Sequence, residues 1–130
     1  GNFKVLLCSD IQDETIILLK NRMSYDNLIF FKNFINYLKI PHHSSPGSER
    51  IFELFDKVRV DNSVTTVFRA SGLPKERTLE KYACISDNVY STSKVNIDGK
   101  EKPYGVISTT FNISKKTMTT ELLHSAVRIK

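Results

Sequence analysis

Cysteine and histidine are scarce in this chain of 130 residues: two of the first and three of the second. Cys8 and Cys84 lie far apart and form no C-x-x-C pair, which excludes a cysteine zinc site and leaves a disulfide between the two as the alternative to free thiols. Cys8 sits in an apolar run, the usual setting of a buried free thiol, and the expectation is reduced thiols in a cytoplasmic protein. No apolar run approaches the ~18 residues of a membrane span. No charged-then-apolar leader opens the chain, although its first residue, Gly1, makes that a weak statement about targeting. There is no Gly-x-Ser-x-Gly elbow to make a nucleophile of Ser44, Ser45 or Ser48. Internal repeats, low-complexity tracts and linkers are also missing, so residues 1–130 read as a single unit.

What remains is the composition of a globular domain. Hydrophobic residues make up 40% and charged residues 25%, a balance that excludes a disordered chain. A chain of this length buries roughly two-thirds of its unfolded surface, enough for a core. Nineteen Lys and Arg against fourteen Asp and Glu give a net charge of +5. That suits an anionic partner such as nucleic acid or a phosphate ester, yet no basic–aromatic repeat marks a stacking platform.

Periodicity predicts an alternation of strands and helices. Phe3 to Cys8 is a short apolar strand, followed by a helix with Ile11, Thr15, Leu18 and Leu19 on one face and Ser9 or Asp10 as its cap. Leu28-Ile29-Phe30-Phe31 suits either a helix face or a strand. Ile35 to Ile40 is a strand stopped by Pro41. Ser45-Pro46 opens a helix as cap and first position, with Ile51, Phe52, Leu54 and Phe55 as its apolar face. Val64 to Phe68 is β-branched and aromatic, hence a strand. Pro74 opens a helix carrying Leu79, Tyr82 and Ala83. Asn88 to Val95 is a strand bounded by the turn Asp98-Gly99. Tyr104–Ile113 and Met118–Ile129 are two late strands. The order implies a layered α/β fold with a mixed sheet and flanking helices.

Two strand ends carry candidate chemistry. Asp10 follows the first strand, and His42-His43 follow the second, and in layered α/β proteins sites gather at the carboxyl ends of strands. A carboxylate and an imidazole together suit zinc, manganese or iron. Alone, Asp10 reads as a helix cap and the histidines as surface loop residues. Adjacent residues in extended backbone point to opposite sides, so only one of His42 and His43 is expected to bind metal directly, the other lying behind it or facing substrate. Arg69 follows a later strand end, where a guanidinium clamps phosphate or lies on the surface. Asp13 and Glu14 read as favourable charge in a first helical turn. His124 reads as a strand residue without a catalytic role.

The segments Leu6-Leu7-Cys8-Ser9-Asp10, Ile11-Gln12-Asp13-Glu14 and Leu38-Lys39-Ile40-Pro41-His42-His43-Ser44-Ser45 resemble the metallo-β-lactamase fold, in the branch of competence-type DNA-uptake proteins and choline-phosphate esterases. Thr66-Val67-Phe68-Arg69, Leu73-Pro74, Leu79-Glu80-Lys81-Tyr82 and Val89-Tyr90-Ser91-Thr92 extend the register to residue 93. The resemblance implies the C-terminal half of an αββα sandwich in a metal-dependent hydrolase that cleaves a phosphodiester or related ester. Asp10 would bridge two zinc ions, and His42 or His43 would complete the second. The family's His-x-His-x-Asp-His motif is not in this chain. The remaining ligands would therefore come from an N-terminal half on another chain or segment, and self-association is the other implied partnership. Ser9 and Ser44 stand where the family has glycine, a residue that permits positive φ. A non-catalytic interaction or nucleic-acid-binding module that keeps the half-fold is the alternative expectation.

Overall fold

The computed structural model describes residues 2–28, 31–95 and 104–130. Its centre is a five-stranded mixed sheet. Strands β1 (Val5–Leu7), β2 (Lys32–Lys39), β3 (Asp56–Thr65) and β4 (Ser86–Ser91) lie side by side in chain order and run parallel. The short β7 (Val127–Arg128) closes the far edge antiparallel to β4. Parallel neighbours need crossovers, and helices supply them: α1 (Asp13–Arg22) and α2 (Tyr25–Leu28) before β2, a 3₁₀ segment (Pro46–Glu53) before β3, and α3 (Glu76–Ile85) before β4.

The core lies between the sheet and these helices. Leu38, Val60 and Val89 from the strands meet Ile16 of α1, Ile51 of the 3₁₀ segment, and Leu79 and Tyr82 of α3. All of these except Leu79 are fully withdrawn from solvent. At about 25 cal/mol per Å² of apolar surface, such residues contribute roughly 1.5–3 kcal/mol each.

The opposite face of the sheet is polar. Tyr37, next to core residue Leu38, points to this side and meets Phe111 edge-on, with ring centroids 6.0 Å apart. Phe3 meets the same ring at 5.0 Å. Phe111 belongs to an antiparallel hairpin of β5 (Val106–Asn112) and β6 (Thr117–Leu123). The hairpin alternates exposed and half-buried residues, the period-two signature of a ribbon with one covered face. Beneath it a chain of amides crosses the strands. Asn36 donates to Asp61 at 3.1 Å, Asn88 to Asn62 at 2.9 Å, and Asn62 to Thr120 of the hairpin at 3.1 Å.

The α/β class and the mixed sheet agree with the sequence reading; several element bounds do not. The first helix is preceded by Gln12 in extended backbone, so neither Ser9 nor Asp10 caps it. The crossover after Ser45-Pro46 is 3₁₀, although Ser45 does cap it by accepting from the Gly47 N–H at 3.2 Å. The strand expected at Val64–Phe68 runs instead from Asp56 to Thr65. Its polar residues Asn62 and Ser63 are buried because they pair across the sheet with Asn88 and Ser86, a tertiary override of low strand propensity. The strand expected at Asn88–Val95 starts and stops earlier, at Ser86 and Ser91. The last expected strand, Met118–Ile129, breaks into β6 and β7, with His124 at φ 57° in the break. Ile29, Phe30 and the turn Asp98-Gly99 lie outside the described residues.

Candidate functional site at the strand carboxyl ends

Parallel neighbours place their carboxyl ends together, so β1, β2 and β3 deliver their next residues to one edge of the sheet. The chain after β1 turns at once, with the Ile11 N–H donating to the Cys8 carbonyl at 3.3 Å. Asp10 sits in this turn, with its side chain 69% exposed. After β2, Pro41 ends the ladder and His42, His43 and Ser44 all adopt left-handed backbone, at φ 45°, 53° and 59°. The two turns are tied together where the His42 N–H donates to the Ser9 carbonyl at 2.8 Å. Ser9 is itself left-handed, at φ 47°.

Four successive or facing non-glycine residues with positive φ form a concentrated store of strain, roughly 1–2 kcal/mol for each. Such conformations persist only where surrounding structure fixes them. Here Ser44 is fully buried, its Oγ donating to Thr65 Oγ1 at 3.2 Å. The His42 carbonyl accepts from the Ser45 N–H at 2.9 Å. The left-handed turn also overturns the extended geometry expected for the histidine pair. Their rings lie 6.4 Å apart at 58°, because a tight turn brings successive side chains closer than a strand does.

Asp10 and His43 meet. His43 Nε2 lies 3.6 Å from Asp10 Oδ1, just beyond hydrogen-bond length. The other ring nitrogen, Nδ1, faces the segment leaving β3, at 2.6 Å from Thr66 Oγ1 and 3.2 Å from the Thr66 carbonyl. Phe68 stacks on the imidazole at 5.4 Å and 26°. His42 stands behind this contact, its Nδ1 buried and without a hydrogen-bond partner among the described residues. Lys39, the last residue of β2, contributes positive charge. Burial lowers its pKa, while Asp10 and Cys8 act in the opposite direction. Burial pushes the Cys8 thiol up to about 12, so it is neutral and offers no thiolate.

Arg69 begins a 3₁₀ turn (Arg69–Ser71) past β3 and is anchored by a hydrogen bond to Ser93 Oγ at 3.0 Å. His124 lies apart on the hairpin, against Tyr104 at 5.3 Å. Among the described residues, no group of three or more His, Cys, Asp and Glu side chains comes together. No helix among them is long and apolar enough to cross a membrane.

Thr66 and Phe68 were not singled out in the sequence. The available signal was topological: the third parallel strand must end beside the second, and the residues after it must face His42-His43. Comparison with protein-family models, curated proteins and solved structures finds no match, and the chemistry of the site is read from its own geometry.

Proposed function

We propose that Asp10 and His43 are two ligands of a metal centre in a hydrolase that cleaves phosphodiesters or related esters, this chain being the C-terminal half of a metallo-β-lactamase-like domain. One observation carries the reading. The Thr66 carbonyl can only accept, so it draws the His43 proton to Nδ1. That leaves the Nε2 lone pair directed at a carboxylate 3.6 Å away. Two electron-rich groups in that arrangement repel unless a cation lies between them. Donor atoms on one zinc ion, each at ~2.1 Å, are separated by about 3.4 Å in tetrahedral geometry, so the pair fits two positions of one coordination sphere. A proton on Nε2 would satisfy the pair as well.

Within this reading Asp10 supplies anionic oxygen, and its exposure leaves room for a second ion to share the carboxylate. His43 supplies neutral nitrogen. His42 backs the site and fixes the spacing of the two turns through its N–H. Lys39 and Arg69 supply positive charge at the same edge for an anionic substrate. Zinc in such a site supplies an activated water and stabilises charge that develops on oxygen. The remaining ligands come from an N-terminal half on another chain or segment, or from a second copy of this one. Ser9 and Ser44 hold the positive φ that the family's glycines allow, which supports a retained site over a degenerate interaction module.

Titration of the full chain with zinc and with cobalt tests the reading. Weak, saturable binding with a cobalt ligand-field spectrum is expected, and Asp10→Ala and His43→Ala should each abolish it. Binding that is indifferent to both substitutions refutes it, and so does an assembly that stays metal-free at millimolar metal once the N-terminal half is supplied.

A further inference from the structure

We propose that Thr66 is a positioning residue for His43: it fixes the Nδ1–H tautomer and aims the Nε2 lone pair at Asp10. The inference rests on the reading of Asp10 and His43 as ligands of one cation, and it names the group that prepares the histidine for that task.

Thr66 presents two oxygens to one ring nitrogen, Oγ1 at 2.6 Å and the carbonyl at 3.2 Å. A hydroxyl can donate or accept, but a carbonyl cannot donate. If Nδ1 carried a lone pair, it would face the carbonyl lone pairs at 3.2 Å. With the proton on Nδ1, both oxygens accept from it, and the short contact to Oγ1 is the stronger of the two. Neutral imidazole has a single ring proton, so Nε2 is then bare. A ligating histidine with its second nitrogen held by a carbonyl or carboxylate is a general feature of metal sites, because the outer hydrogen bond sets both tautomer and orientation.

Phe68 completes the restraint. Its ring covers one face of the imidazole at 26°, which fixes the plane in which Nε2 points. Thr66 and Phe68 alternate along the exit from β3, so they reach the same side. Thr66 contacts the edge of the imidazole and Phe68 its face. The chain between them is held in turn, the Val67 N–H donating to Thr92 Oγ1 at 2.9 Å. The restraint is therefore built on two neighbouring strand ends.

Nitrogen-15 NMR of the imidazoles in the full, metal-free chain at pH 8 reads the tautomer directly, with His42→Gln and His124→Gln spectra assigning His43. The wild type should show a protonated Nδ1 and a bare Nε2. Thr66→Val keeps the shape and removes Oγ1. The hydroxyl serves either tautomer and the carbonyl only Nδ1–H, so His43 should stay protonated on Nδ1 in Thr66→Val, with a less restrained ring, and Thr66→Ser should restore the restraint. A His43 protonated on Nε2, in the wild type or in Thr66→Val, overturns the proposal. Zinc titration of the same variants separates the two ideas. Thr66→Val should weaken binding at least about tenfold, whereas zinc binding that Asp10→Ala leaves unchanged overturns the metal reading and leaves the tautomer result to decide the role of Thr66.

Discussion

Replacing Ser9 by glycine should stabilise this protein, although it removes a side chain beside the candidate site. Ser9 holds φ 47°, in the left-handed region where a Cβ costs roughly 1–2 kcal/mol. Its side chain is exposed, and its hydroxyl makes no hydrogen bond among the described residues, so little is lost with it. Glycine gives back about 0.5–1 kcal/mol through its freer unfolded chain. The balance is a gain of about 0.5–1 kcal/mol, or ~2–5 °C in melting temperature for a domain of this size. The carbonyl that accepts from the His42 N–H is backbone and stays in place. Ser44 provides the contrast. It carries φ 59° but is fully buried, and its hydroxyl donates to Thr65 Oγ1, also buried. Ser44→Gly relieves the same strain, loses a hydrogen bond worth about 1 kcal/mol, and leaves a small void. It should be neutral or destabilising. Urea denaturation of Ser9→Gly, Ser9→Ala and Ser44→Gly measures all three balances. Alanine keeps the Cβ, so Ser9→Ala should match the wild type. A Ser9→Gly variant less stable than the wild type, or a Ser9→Ala variant stabilised equally, refutes the strain argument.

Two further outcomes follow from packing and burial. A Cβ on Gly105 would overlap the Thr92 carbonyl and the backbone of Ala126. Gly105→Ala should therefore lower stability by more than about 2 kcal/mol, and a calorimetric melt within 2 °C of the wild type would contradict the close approach of the hairpin to the end of β4. The Cys8 thiol is raised by burial from 9.0 to about 12. Its folded pKa lies above its unfolded one, so the stability it contributes is complete below about pH 9 and is lost as pH rises toward 12, with a slope of up to about 1.4 kcal/mol per pH unit. Denaturation at pH 8 and pH 10.5 should show the loss, and Cys8→Ala should reduce the difference. An equal decline in both proteins would assign it to other groups, such as the buried Tyr82 phenol, whose pKa is also raised by burial.

The alternation of strand and helix was legible in this sequence because it is written in local chemistry. Val5-Leu6-Leu7 is a strand as its apolar run suggests, although at the sheet edge Val5 and Leu7 are exposed where a buried strand was expected; Pro41 must end the ladder of β2, and Ser45-Pro46 must begin a helical turn. The placement of Asp10 and His42-His43 at strand ends followed from the same signals. Local chemistry did not reveal β3 from Asp56 to Ser63. Its Asp, Asn and Ser residues disfavour a strand in isolation and are accommodated only because Asn62 and Ser63 find partners on β4 and the hairpin, at 2.9 Å from Asn88 and 2.7 Å from Ser86. The division of the last strand at His124 was equally hidden, since it depends on β7 leaving the hairpin to pair with β4.

By itself, then, the sequence determined the α/β class, the ends of the first two strands and the residue types gathered there, because propensity, capping and proline chemistry act over a few residues. Only the tertiary structure decided which histidine faces Asp10, that both histidines sit in left-handed backbone, and that Thr66 and Phe68 hold the ring. Those facts depend on how β1, β2 and β3 lie beside one another. Contacts between residues more than twenty positions apart in the chain set those angles, and no local pattern records them.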